Sequence, residues 1–508
     1  IERLGSRRVS RYQFRNYLFQ KYLYDSLDEV ERAYLHEDVG NALEELYLDQ
    51  ASDMADIAAI AASAVQLAWH FEEAGLAEKA IHYLHQAGER AVSLSAYLEW
   101  RAHLIRELEL LLSLPESPER AEHELDLQLS LGWAWMASES AVIESREAYT
   151  QAIELCRQTG KTSELPRAVG MLQTCHYVAG DCLRALELAE EALHLGQQAE
   201  DPMLVAAGHW RLGFTWFTLA EHTAARAHLK QISAYYQPEH HHAFVSLCGS
   251  DPGPSALAYD ACSLWCLGYP EQALQRSQEA LALARELNHS PTLAEIHHFA
   301  ECLLSSMRHD AQSLKESADE LMQWADDRGM RGWVAAGILY RGEALVRLGQ
   351  VQAGTARMRE GMGGFRARGA GVHLSGTRCC IAEAQAMQGH FEDGLATLEE
   401  ALTLAERTGE RLWRAELYRV RGELLLAQSA AASTAAERCF EQAIEVARRQ
   451  QARSWELRAT NSLCRLWQRQ GKTTEARQRL SEIYGWFTEG FETADLTEAK
   501  ALLGELPS

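Results

Sequence analysis

Proline is scarce in this chain. There are ten in 508 residues and none in the more than two hundred positions between Pro291 and Pro507. Such a stretch is foreign to a loop-rich β fold and natural for helices. Cysteine is sparse as well; the 11 present are odd in number and scattered, which argues against a disulfide scaffold and fits a reducing cytoplasm. Basic charge is in deficit, 49 Lys and Arg against 72 Asp and Glu, a net charge of −23. A general nucleic-acid binder needs the opposite balance, because it must neutralise phosphates. Long apolar runs are missing too. The most apolar segment, Ile57 to Trp69, contains Ser63 and Gln66 and falls short of the roughly 20 residues that span a bilayer. Ile1-Glu2-Arg3-Leu4 carries no apolar signal-peptide core and no initiator Met, so the chain reads as an excerpt of something longer.

What is present is core-forming material: 47% apolar and 24% charged residues, in a length that suits several domains or one long repeat array. Self-similarity decides for the array. Gly180-Asp181-Cys182-Leu183-Arg184-Ala185, followed by Ala192, returns as Gly268 to Ala273 with Ala280. It returns again as Gly389 to Gly394 with Ala401, and as Gly471 to Ala476 with Ile483. The small residue anchors a series: Ser145, Ala185, Ala225, Ala273, Ser313, Gly354, Gly394, Ala436 and Ala476. Its steps are 40, 40, 48, 40, 41, 40, 42 and 40. Each unit reads as helix, tight turn, helix. The turn glycine can take positive φ after a helix end, and the small anchor lets the second helix approach the first. Apolar residues at i, i+3, i+4 and i+7 surround the anchors. Glu320 and Gly361 break the small-or-apolar rule seven residues on, which marks two units as degenerate.

This pattern resembles tetratricopeptide repeats, with each helix about a turn longer than the common 34-residue unit. The resemblance implies an all-α, right-handed superhelix (an α-solenoid) of about nine or ten helix pairs, with first helices lining the concave face and stability coming from stacking. The 48-residue step leaves an insertion near Gln237 to His242 and Ser250 to Pro254, expected to form turns.

The two ends carry a second resemblance. Residues 1–50 do not follow the repeat and begin with a basic cluster (Arg3, Arg7, Arg8, Arg11, Arg15). The stretch from Arg11 to Gly40 is similar to the end of the winged-helix module that closes the nucleotide-binding region of bacterial STAND-type signal-transduction ATPases. Phe14-Arg15 match that group's motif, and Asn16 stands where His is common. Tyr484-Gly485-Trp486-Phe487 through Leu496, with Ser250-Asp251-Pro252-Gly253 and Leu267 to Leu274, resembles the repeat arm that follows such ATPases, which are often fused to class III adenylate or guanylate cyclase or to transcription-activator domains. The resemblance implies residues 1–50 as the end of a winged-helix or linker segment and residues 51–508 as the superhelix. It implies a regulatory arm that binds a protein or peptide partner and acts on an upstream nucleotide-binding module in cis.

Motifs for chemistry are few. Gly160-Lys161-Thr162 and Gly471-Lys472-Thr473 lack the first glycine of a phosphate-binding loop, having Leu155 and Leu466 there. Gly361-Met362-Gly363-Gly364 has no strand-to-helix context. His240, His241 and His242 are consecutive and point different ways. Cys262 and Cys266 share a helix face without a third ligand at useful spacing. Cys379-Cys380 reads as one groove-facing and one buried residue. No Gly-x-Ser-x-Gly elbow occurs in a suitable context. The expectation is therefore no catalytic, cofactor or metal site, and a chain that is not itself an enzyme. The concave face is the better candidate. Glu343, Glu383 and Glu423 stand 40 residues apart on first helices, flanked by Arg341 and Arg419. This ladder could hold a polar peptide, or could tie repeats together by ion pairs. Trp210, Trp265 and Trp333 also lie on first helices and complete the candidate contacts.

Overall fold

The structure, a computed structural model, describes residues 2–4, 7–9, 17–48, 54–94, 96–139 and 141–507. Phe14, Arg15 and Asn16 lie outside them. Proline and glycine, the residues that punctuate helices, fall where the chain turns. Pro202, Pro252, Pro270 and Pro291 open helices, where a missing N–H leaves no bond unmade. Gly180, Gly268, Gly349, Gly389 and Gly471 occupy the inter-helix turns with φ between 79° and 95°.

The fold is all-α apart from a short antiparallel pair, Glu2–Leu4 with Arg7–Val9. Two compact units divide the chain, Ile1–Ala134 and Trp135–Ser508. The first packs the helices Met54–Glu73 and Ala77–Ser93 around Leu67, Phe71, Tyr83 and Leu84. Within it the buried Glu107 takes His123 Nε2 at 2.9 Å and His85 Nδ1 at 3.5 Å.

The second unit is the solenoid. Its pairs include Leu165–Ala179 with Cys182–Gln198, Pro252–Leu267 with Pro270–Leu287, Arg331–Arg347 with Val351–Ala367, and Arg453–Arg469 with Thr473–Tyr484. Ala185, Ala225, Ala273, Ala436 and Ala476 are fully buried, as anchors between close helices must be. Where the anchors are glycines the helices come closer still. A Cβ on Gly354 would lie 2.4 Å from the Gly342 carbonyl oxygen.

Two sequence expectations need correction. Gly361 does not mark a degenerate unit; it is buried, and a Cβ there would meet Leu339 at 2.7 Å. Ser313 is not the anchor of its repeat. The first helix of that pair contains a π-helical turn, His297–Leu303. A π turn adds one residue to a helix. The following turn residue is therefore His309, with φ 57°, and the residues five and twelve further on are Leu314 and Leu321, both fully buried. Glu320 falls on the exposed side.

The insertion is also more ordered than expected. His241–Cys248 is a helix, and Asp251 caps Pro252–Leu267 by accepting from Gly253 N at 2.8 Å. His241 is buried with Nδ1 2.6 Å from Asp251 Oδ2, whereas His240 and His242 are exposed.

Successive turns of this solenoid touch. Tyr177 Oη lies 3.2 Å from His373 Nε2, 196 residues on. Arg411 N donates to Thr218 O at 3.0 Å, and Ser454 Oγ to Trp265 O at 2.5 Å. With a 40-residue step, 196/40 gives about five repeats per superhelical turn. The far end closes the coil. Glu489 Oε1 accepts from the N–H groups of Glu271 and Gln272 at 2.9 and 3.1 Å, and Trp486 packs over Gly268. Among the described residues no helix is long and apolar enough to cross a membrane.

Candidate functional site

Because the second superhelical turn sits against the first, the inner helices enclose space rather than line an open trough. Two neighbouring clefts of about 230 Å³ each lie among the described residues, and they share His309 and Asp495. One is walled by Trp265, Pro270, Leu457, Phe487 and Leu496 together with Arg308. The other is charged, with Arg347, Glu383, Arg419, Arg458, Arg465 and Glu498 around it. The two adjoin at His309 and Asp495; the first mixes apolar and aromatic walls with Arg308, Asp310 and Glu492, and the second is ionic, so we treat them as one groove.

Repeat geometry places these side chains. Arg347, Glu383, Arg419 and Arg458 come from consecutive inner helices, at steps of 36, 36 and 39 residues. Asp495 and Glu498 come from the closing helix Ala494–Glu505. His309 stands where five other repeats place glycine and one places Ala220, in the left-handed region that costs a side-chain-bearing residue about 1 kcal/mol or more. The consequence is an imidazole where glycine would leave a gap.

The charges are tightly partnered. Arg458 donates to both Asp495 oxygens at 2.9 and 2.8 Å and to Met307 O at 2.7 Å. A further N–H of Arg458 is 2.9 Å from His309 Nε2, which must accept. Burial, with Arg347, Arg458 and Arg419 nearby, holds His309 well below the usual imidazole range, so it is neutral. Arg419 grips Glu416 with two bonds of 2.8 Å and reaches Glu383 at 3.3 Å. Burial raises the Glu383 carboxyl above its ordinary value, against the pull of Arg347 and Arg419. Glu416 goes the other way, since Arg419 and Arg458 outweigh the cost of its burial. Arg465 pairs with Glu498 at the exposed rim.

The carboxylate column lies on the inner helices, and each member bonds to another repeat. Glu343 accepts from Ser306 Oγ at 2.7 Å and from Arg347 Nε at 3.0 Å. Glu383 meets Arg419, and Glu423 accepts from Ser462 Oγ at 2.6 Å. Glu343 is buried, while the Glu423 side chain keeps 37% of its exposure. Arg341 pairs outward with Asp319 at 2.9 Å. Of the tryptophans, Trp265 walls the apolar end and stands edge-on to Trp455 at 4.8 Å. Trp210 packs in the core against Phe214, and Trp333 faces His298 at 5.5 Å.

Sequence reasoning missed His309, Arg347, Arg458, Arg465, Asp495 and Glu498. The arginine column was available once steps other than 40 were allowed. Cys379 and Cys380 are both buried, so neither faces the groove, and burial pushes both thiols well above their ordinary range. Lys472 of the second decoy motif is tied to Glu437 at 3.0 Å.

No protein-family model matches the chain. An uncharacterized protein of Rhizobium meliloti (strain 1021) is 26% identical over 468 residues, 89% of this chain. The chain spans 43% of that relative's length. Apo RapI covers 56% of this chain and 97% of its own, at 12% identity and a TM-score of 0.41. The Rap conjugation gene regulator of plasmid pLS20, solved with the Phr* peptide, covers 69% and 88% at 12% identity and 0.45. The Cut9–Hcn1 hetero-tetramer of the APC/C covers 96% and 92% at 11% identity and 0.47.

Proposed function

We propose that this chain is the non-catalytic sensor and protein-interaction arm of a larger bacterial signalling ATPase, of the cyclase-linked or activator-linked kind. The arm holds a polar segment of a partner in the groove around His309. One observation carries this reading: the groove takes its walls from both superhelical turns, Trp265 and His309 from one, Arg419 and Arg458 from the next. A ligand bridging them binds a tight coil better than a relaxed one. That differential affinity is what a population shift toward the upstream module requires. The resemblance at both ends supports the ATPase context, and the Rhizobium relative, most of whose length lies outside the match, is long enough to carry further domains. The buried cysteines, with thiols pushed up by burial, support a non-catalytic role.

A freestanding cytoplasmic adaptor is the second reading. It is favoured by the groove being built wholly from residues of this chain. The coding sequence upstream of Ile1 separates the two: a Walker motif there supports the ATPase arm, and an immediate start codon supports the adaptor. The groove is tested by His309→Gly. Glycine suits the left-handed turn, so the variant should fold with little change in melting temperature while affinity for the captured partner falls at least tenfold or so. Unchanged affinity would remove the groove from the proposal.

A further inference from the structure

The π-helical turn His297–Leu303 has no part in the groove chemistry, and it brings three donors together. We propose that His297, Glu301 and Glu320 form a site for a divalent cation of the zinc class. One nitrogen and two oxygen atoms of these side chains lie within 4.8 Å of one another. His297 is buried, with Nδ1 in contact with Glu301 Oε2 one turn along the same helix. Glu320 arrives from the next helix, Ala311–Asp326.

The sequence register explains why Glu320 is there. In the other units the position seven after Ser145-type anchors is packed between helices. The extra residue of the π turn moves Leu321 into that position and turns Glu320 outward, onto the side of His297 and Glu301. The slip therefore creates the cluster, and the fold would bury a carboxylate without it.

Charge gives an independent reason to expect a cation. Two carboxylates face one imidazole. Among the described residues no lysine or arginine forms an ion pair with Glu301 or Glu320. The adjacent Asp319, by contrast, takes both Lys315 at 3.0 Å and Arg341 at 2.9 Å. One imidazole nitrogen with two carboxylate oxygens is a donor set that suits zinc, with donors at about 2.0–2.2 Å and hence roughly 3–3.5 Å from each other. Rotation of the exposed Glu320 side chain closes the remaining gap. The cation then takes the place of the His297–Glu301 hydrogen bond, binding both side chains at once. Three protein donors leave the fourth position of a tetrahedral zinc open, where water completes the coordination.

The experiment uses the full chain, stripped with a chelator and titrated with Zn²⁺ by calorimetry, with Co²⁺ absorption as the second probe. We expect one equivalent bound per chain and a raised melting temperature. Glu320→Gln and His297→Gln should each weaken binding at least about tenfold. Glu320 is exposed and makes no side-chain hydrogen bond or Lys/Arg ion pair among the described residues, so its variant folds even if the His297 variant does not. Zinc bound equally well by Glu320→Gln would come from other histidines, of which the chain has 20, and would overturn the proposal. So would the absence of one-to-one binding.

Discussion

Glu295 shows how much one side chain can report. Burial raises its carboxyl to about 7, although Ser250 Oγ donates to it at 2.5 Å. In the fold it keeps its proton up to that pH; in the unfolded chain it loses it near the ordinary carboxylate value. The stability it contributes is therefore complete below the ordinary value and is lost as pH rises toward 7. Glu295→Gln keeps the shape without the titration. We expect the variant to match the parent at pH 4 and to exceed it at pH 8 by up to about 3 kcal/mol, read from urea midpoints. A parent with equal midpoints at both pH values would contradict this. Individual residues were unevenly legible in the sequence. The Glu343, Glu383 and Glu423 column could be found because its members keep one step. His309 could not be, because its role depends on a left-handed turn that sequence normally marks with glycine. The partners of Arg458 lie 37 and 149 residues away, and no local pattern announces them.

Elements were the best-read level. Turn glycines, small anchors and apolar spacing located the helix pairs, because each pair satisfies its own backbone bonds and needs only one close contact face. The π turn escaped notice because one added residue leaves the apolar pattern almost intact; only Glu320 at a supposed packing position betrayed it. Helix proximity gives a direct test. Gly354 and Gly342 touch backbone to backbone between Arg331–Arg347 and Val351–Ala367. Gly354→Ala keeps helix propensity favourable yet forces these helices apart. The expected loss is about 1–3 kcal/mol of unfolding free energy in a denaturant titration. An alanine that stabilised the chain, as propensity alone demands, would show that the crossing is looser than described.

At the scale of the whole molecule, no sequence pattern measures how tightly the solenoid winds, since the per-repeat rotation depends on many small packing choices. The observed coil brings residues about two hundred apart into contact. Its closure rests on the segment after Tyr484, where Glu489 caps Pro270–Leu287 and Asp495 pairs with Arg458. Ending the chain at Tyr484 should loosen the second unit, visible as a larger radius of gyration in small-angle scattering and a broader thermal transition. An unchanged radius would place the closure elsewhere. The same contact has a consequence during synthesis. Trp265 leaves the ribosome 189 residues before Ser454, its partner on the next turn. At about 5–20 residues per second, that interval lasts on the order of 10–40 s. For that time the half-made coil offers an uncovered apolar ledge to the crowded surroundings of the ribosome, so nascent chains stalled before Arg453 should recruit chaperones that the finished protein no longer attracts.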